Sequence, residues 1–204
     1  MNAQERKAHW ENIYTTKPIT NVSWYQPTPQ TSLDFIAKCN INKDAAIIDI
    51  GGGYSFLVDH LLELGYTNIT VLDISATAIE RAKERLGSKA ELVKWIVSDV
   101  VDFIPTEKYA VWHDRAAFHF LNSEDQIKSY TSICNNSITE NGNLIISTFS
   151  NNGPLKCSAI EITQYTEDKL KSNFNELKFQ DSLRVNHPTP FDTEQEFVFC
   201  WFKK

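Results

Sequence analysis

Between residues 46 and 149 the chain alternates short, nearly continuous apolar runs with longer stretches of helical period. The runs at 46–50 (AIIDI), 68–73 (NITVLD), 91–98 (ELVKWIVS), 109–114 (YAVWHD) and 143–149 (NLIISTF) are bounded by turn and helix signals and read as strands. After the first of them, residues 54–64 place Leu57, Val58, Leu61 and Leu62 on one helical face, stopped by Gly65. After the second, Ser75 is positioned to cap a helix that turns Ala78, Ile79, Ala82 and Leu86 inward and ends at Gly87. A further helix at 123–138 fits between the last two runs. Strands alternating with helices imply a parallel sheet covered on both faces. The rhythm changes near the C-terminus. Residues 176–186 and 196–202 are both strand-like, and the short HPTPFDTEQ between them leaves no room for a crossover helix. These two strands are therefore expected to be antiparallel neighbours. Upstream, helices near 3–15 and 29–39 flank an irregular, proline-containing stretch. The expected organisation is one α/β domain over residues 1–204: an N-terminal extension (1–40) that could act as a lid, a core (41–150) and a C-terminal part (151–204).

Composition narrows this picture at three points. The chain has only seven glycines, and three are consecutive, Gly51, Gly52 and Gly53, which excludes collagen-like and Gly-rich linker readings. Twelve Phe, seven Tyr and five Trp are too many to leave in water, so disorder is excluded as the main state. The formal charge of −6 argues against nonspecific binding to nucleic acid. Residues 1–14 are polar and mixed in charge, unlike a signal peptide, and no apolar stretch approaches the roughly 20 residues of a membrane span. Cys39, Cys134, Cys157 and Cys200 lie far apart without a C-x-x-C pair, which suggests neither a disulfide framework nor a zinc site. A cytoplasmic location is the expectation.

The chemistry is concentrated where strands end. In IIDIGGGYSFL, residues 47–57, a strand meets a glycine turn and then a helix. Glycines let a backbone turn tightly and approach a ligand, and the helix start offers free amides. Asp73 closes the next strand, where a carboxylate can accept hydrogen bonds from both hydroxyls of a ribose. A dinucleotide fingerprint would continue with a third glycine at position 56, but this chain has Phe56. Asp49, just before the glycines, suits a cationic ligand. S-adenosylmethionine carries a sulfonium and an ammonium group and no phosphate, so it matches this turn better than a pyrophosphate does.

The order of these motifs resembles class I S-adenosylmethionine-dependent methyltransferases. Asp49 to Gly53 is similar to their first motif, and Asp73 to their acidic ribose-binding position. Ser98-Asp99-Val100 is similar to the segment after their third strand. The resemblance implies that Asp99 contacts the adenine amino group and that the Val100 amide reaches the ring, with Ile74 alongside. Read alone, Asp99 is an ordinary turn residue after a strand; the series of motifs favours adenine binding. The resemblance also implies a Rossmann-like, doubly wound sheet of seven strands, mostly parallel with an antiparallel strand at the C-terminal end. S-adenosyl-L-methionine is then the cofactor and S-adenosyl-L-homocysteine its product.

A second constellation, VWHDRAAFHFL at 111–121, leaves the fourth strand at the edge where open α/β sheets bind ligands. His113, Asp114, Arg115 and His119 crowd an otherwise apolar run and are the candidates for acceptor binding and proton transfer. The structural alternatives are an Asp114–Arg115 pair and satisfied loop histidines. The spacing of His113, Asp114 and His119 is no recognised metal-ligand pattern, and no metal is expected. Trp24 and Tyr25 either close over the cofactor or anchor the extension, and Cys157 reads as an ordinary loop cysteine. Asp-Arg-Ala is similar to the segment after strand four in the thiopurine and thiol S-methyltransferases. It is also similar to that of the lysine methyltransferases acting on elongation factor 1A and citrate synthase. HWENIY (9–14), SWY (23–25) and GYTNITVLDISATAIE (65–80) lean toward the lysine group, although Arg115 stands where that group has lysine. The acceptor expected first is a protein lysine, then a small-molecule thiol, nitrogen or oxygen nucleophile; a noncatalytic cofactor-binding protein is the third reading.

Overall fold

The computed structural model describes residues 2–204. In chain order the elements are α1 (Ala3–Thr16), α2 (Gln30–Lys38), β1 (Ile47–Ile50), α3 (Leu57–Glu63), β2 (Ile69–Asp73), α4 (Ala76–Leu86), β3 (Val93–Val97), β4 (Tyr109–Arg115), α5 (Glu124–Ser137), β5 (Ile138–Phe149), β6 (Lys156–Cys157), β7 (Ile160–Glu161), α6 (Glu167–Asn173), β8 (Lys178–Pro188) and β9 (Glu194–Lys203). Seven strands form one sheet in the order β3-β2-β1-β4-β5-β9-β8. Strands β1 to β5 pair in parallel, and β9 runs antiparallel to both β5 and β8. The short β6–β7 hairpin is separate.

Alternation along β1 shows how the sheet is covered. Ile48 and Ile50 are buried against the core beneath α5 and α6, with Trp112, Tyr130, Cys134 and Phe174. Ile47 is buried on the opposite face with Phe35, Ile36, Val58 and Leu61 from α2 and α3. Both faces being dry, the central strands carry apolar residues at successive positions, as parallel sheets require.

The structure shifts three expected boundaries and adds two elements. Helix α3 starts at Leu57, because residues 51–56 stay in a turn, closed by the Ser55 N–H donating to the Gly52 carbonyl (2.9 Å). Residues 87–92 form a 3-10 turn rather than the start of β3. Trp95 reaches back from the strand to the Ala90 carbonyl (2.9 Å) and holds that turn. Strand β5 begins at Ile138, directly after α5, and Asn141 takes φ +62° within it. Helix α6 and the β6–β7 hairpin had no counterpart in the sequence pattern, being too short to show a period.

Helix α1 lacks a continuous apolar stripe and is held largely by polar clamps. The Glu11 carboxylate accepts the Ala76 and Thr77 amides (2.7 and 3.1 Å) and the Ser75 hydroxyl (2.9 Å), capping α4 from outside. Arg81 of α4 donates in return to the Thr15 and Lys17 carbonyls at the far end of α1 (3.1 and 2.9 Å). Arg6 pairs with Asp99 at 2.5 Å. Removing a capping acceptor costs about 1 kcal/mol. Glu11→Ala is therefore expected to lower global stability by about that amount. The same substitution should speed amide hydrogen exchange across residues 3–16 while β1 keeps its protection.

Candidate active site

The glycine turn sits at the C-terminal end of β1, where three constraints meet. Gly51 has φ +68°, a region that side chains rarely adopt, and its N–H donates to the Leu72 carbonyl (2.7 Å). The Gly53 N–H donates to Asp73 Oδ2 (3.0 Å), and the Ser75 N–H donates to Oδ1 (2.8 Å). A methyl group at position 53 would come within 2.6 Å of that Oδ2 and 2.7 Å of the Ala78 Cβ. Asp73 thus has one orientation, and it lines the cleft. Burial pushes its carboxyl up to about 6, against the pull of the Ser75 and Gly53 amides.

Asp49 lies beneath the same turn. Its Oδ1 pairs with His113 Nδ1 (2.7 Å), and His113 Nε2 pairs with the Ser32 hydroxyl (2.9 Å). Serine, histidine and aspartate are therefore connected in the order of a nucleophilic triad. Ser32 is 1% exposed, and none of the three lines the cleft, so no substrate carbon can meet the serine. The chain of bonds instead ties α2 to the sheet and fixes Asp49. The other carboxylate oxygen, Oδ2, is buried without a partner and packs against the Cα of Gly52. An unpaired carboxylate oxygen under a glycine turn, in a cradle that a Cβ would fill, fits a ligand with a cationic end and no phosphate.

A cleft of roughly 860 Å³, counted with its part open to solvent, runs along this edge. One end is lined by Ile74, Ser98, Asp99 and Val100, with Arg6 of α1 across from them. Asp99 Oδ1 caps the 3-10 turn at Val101 (3.2 Å) while Oδ2 faces Arg6. The other end is walled by aromatic rings. Trp10 of α1 meets Phe120 at 5.0 Å and Trp24 at 5.8 Å, both edge to face, and Tyr14 meets Trp24 at 6.3 Å. Phe149, Phe197, Cys157 and Arg115 complete this end. Of the two N-terminal aromatics singled out in the sequence, Trp24 lines the cleft. Tyr25 does not; it packs on Phe56 at 6.2 Å. Gly51 is the member of the glycine cluster that reaches the cleft, with Gly52 and Gly53 set behind it over the two carboxylates.

The four polar residues of the segment after β4 part company. Successive positions on a strand face opposite ways. His113 joins Asp49 on the α2 side, and Asp114 joins Tyr130 of α5 on the other. Asp114 is wholly buried and accepts from the Tyr130 hydroxyl (2.6 Å) and the Ala117 and Phe118 amides (2.8 and 3.2 Å). It shapes the loop in which Ala116 takes φ +72°. Burial pushes its carboxyl up to about 6. His119 is also buried, its Nδ1 accepting from the Phe149 amide (3.1 Å). Burial pushes it down to about 3, so the ring is neutral with its proton on Nε2. Arg115 alone of the four lines the cleft. Among the described residues no group of three or more His, Cys, Asp or Glu side chains could hold a metal ion.

Arg6, Trp10, Tyr14 and Phe120 are cleft residues that the sequence motifs did not single out, and Cys157 is a wall residue rather than an ordinary loop one. Trp10 and Tyr14 stand at i and i+4 on one helical face, which is the signal that could have found them. Tyr130 accepts a hydrogen bond from Trp112 Nε1 (3.0 Å) as well as donating to Asp114. Tyr130→Phe leaves the Trp112 Nε1 and the Asp114 Oδ2 buried without this partner, so urea unfolding should show a loss of about 1–3 kcal/mol.

Comparison with known proteins agrees with this geometry. A family model described as a methyltransferase domain matches residues 41–196. A malonyl-[acyl-carrier protein] O-methyltransferase of Ilyobacter polytropus is 30% identical over 110 residues, covering 53% of this chain and 40% of that protein. The eEF1A lysine and N-terminal methyltransferase of Mus musculus is 24% identical over 119 residues, covering 58% of this chain and 17% of that protein. The chain thus spans less than half the length of these curated relatives. Among solved structures, a S-adenosylmethionine-dependent methyltransferase from Anabaena variabilis superposes with TM-score 0.78 at 13% identity, covering 100% of this chain and 95% of that one. The 1,6-didemethyltoxoflavin-N1-methyltransferase of Burkholderia thailandensis, solved with its substrate and S-adenosylhomocysteine, gives 0.72 at 17% identity, covering 100% and 91%. With the family match extending over most of its length, the chain belongs to the methyltransferase-domain family, and its fold is that of S-adenosylmethionine-dependent methyltransferases of known structure.

Proposed function

We propose that this enzyme methylates a small, largely apolar molecule whose nucleophile is already unprotonated at neutral pH. The observation that carries this reading is the make-up of the aromatic end of the cleft. Of the residues lining the cleft, Asp73 and Asp99 are the carboxylates: Asp99 is paired with Arg6, and Asp73, whose charge reaches Tyr14, is held by the Gly53 and Ser75 amides. A lysine ammonium, with a pKa near 10.4, would need a carboxylate to hold it and a base to deprotonate it. The groups at the aromatic end do not serve as that base. Burial holds the Tyr14 hydroxyl well above its usual range and pushes the Cys157 thiol up to about 11. His119, behind the wall, has its acceptor nitrogen occupied by the Phe149 amide. The lysine reading keeps its support from motif similarity and from the distant eEF1A relative. The toxoflavin enzyme, of similar fold, supports the small-molecule reading.

Within this reading Asp73 holds the ribose hydroxyls, Asp99 and the Val100 amide hold the adenine, and the Gly51 turn over Asp49 holds the methionine end. S-adenosylmethionine supplies a methyl group activated by the positive charge on its sulfur. The chain's part is alignment and exclusion of water. Trp10, Trp24 and Phe120 form a wall that positions a flat or apolar acceptor. Arg6 and Glu11 keep α1 closed over the cleft.

Incubating the protein with radiolabelled S-adenosylmethionine and cell extract should place label in the small-molecule fraction; label confined to a protein band would overturn the proposal. A second expectation concerns pH. Asp73 accepts best when ionised, and its carboxyl sits at about 6 because of burial, with Asp49 and Glu11 nearby raising it. Affinity for S-adenosylhomocysteine should therefore be level above neutrality. It should weaken as pH falls through 6, approaching about tenfold per pH unit. Calorimetry between pH 5 and 8 measures this, and Asp73→Asn should bind weakly with a flat profile.

A further inference from the structure

Arg115 is the arginine whose pairing stands apart. Arg6, Arg85 and Arg184 each present the Nε and Nη2 edge of the guanidinium to a carboxylate: Asp99, Asp59 and Glu167. Arg81 donates to two backbone carbonyls. Arg115 donates only Nη1, to the Trp24 carbonyl (3.2 Å), while its Nε and Nη2 are buried with no partner. Its guanidinium carbon lies 5.2 Å from the centre of the Phe197 ring. Burial lowers its pKa to about 10, which leaves it charged at neutral pH. His119 adds a second unpartnered donor at Nε2, its ring 4.6 Å from both Phe120 and Phe149 of the cleft wall. The register of β1 and β4 pairs Ile50 with Asp114, so Arg115 stands beside Gly51, where the two ends of the cleft meet.

A guanidinium edge buried without a hydrogen-bonding anion is costly, and the Nε–Nη2 edge, on which Asp49 acts through charge alone, matches the two oxygens of a carboxylate. We propose that Arg115 is the carboxylate receptor of the cleft and that a ligand supplies the anion this chain does not. The inference rests on the reading of the cleft as a joint cofactor and acceptor site. Two molecules that meet there can bring a carboxylate: the methionine end of the cofactor, or the acceptor itself.

Two pairs of probes separate these sources by calorimetry. S-adenosylhomocysteine and 5′-methylthioadenosine share the nucleoside thioether, but only the first has a carboxylate. Benzoate and benzamide, titrated into the protein saturated with S-adenosylhomocysteine, differ in charge but little in shape. The preference for the carboxylate member of at least one pair should exceed about tenfold in the wild type. Arg115→Met should abolish that preference while leaving the neutral member's affinity unchanged, and Arg115→Lys should restore part of it. Loss within the first pair assigns the carboxylate to the cofactor, and loss within the second assigns it to the acceptor. A purely structural arginine gives the opposite pattern: Arg115→Met lowers the melting temperature of the ligand-free protein and leaves both preferences intact, which would overturn the proposal. Failure of the wild type to bind S-adenosylhomocysteine at all would sink the methyltransferase reading along with it.

Discussion

Two desolvated carboxylates packed against a glycine turn are the constraint on which the rest of the structure depends. Asp49 and Asp73 are 3% exposed, at the ends of adjacent strands, and repel one another. The fold tolerates them by giving each a different set of hydrogen bonds. Asp73 receives two backbone amides, and Asp49 receives His113 and keeps one oxygen bare. Both solutions need a backbone without side chains immediately above. That is why Gly52 and Gly53 stand over the carboxylates, while Gly51 makes the bend and faces the cleft.

Helix α1 closes the site by charge and rings rather than by an apolar stripe. Its Glu11 caps α4, the helix that begins just after Asp73, and its Arg6 faces Asp99. Helix α1 is therefore fastened to the same two segments that the motif similarity assigns to the nucleoside. Surface ion pairs contribute little, but the Arg6–Asp99 pair is about 10% exposed on each side and is less screened.

Most of the sheet was legible because its strands are buried on both faces and separated by helices of clear period. The turn between β1 and α3 was legible because three adjacent glycines in a glycine-poor chain have few structural explanations. The segment after β4 was misleading for a physical reason. His113, Asp114, Arg115 and His119 are close in sequence, but a strand sends neighbours to opposite faces and a 3-10 turn follows it. One fastens α2, one shapes a loop, one braces Phe149, and only Arg115 reaches the cleft. The i, i+4 spacing of Trp10 and Tyr14 marks one helical face, but what that face and Arg6 meet, Phe120 and Asp99, lies about 90 to 110 positions away along the chain and is encoded in no local pattern.

The two ends of the cleft do different physical work, and the difference bears on the chemistry. At the nucleoside end every charged group has a partner within the protein, so binding there exchanges hydrogen bonds without leaving a charge exposed. At the aromatic end the balance is reversed: rings exclude water, and Arg115 and His119 keep donors without acceptors. A methyl transfer removes positive charge from the cofactor's sulfur, and a dry, apolar surrounding favours that loss. The proposed neutral or anionic acceptor would bring no second positive charge into this wall.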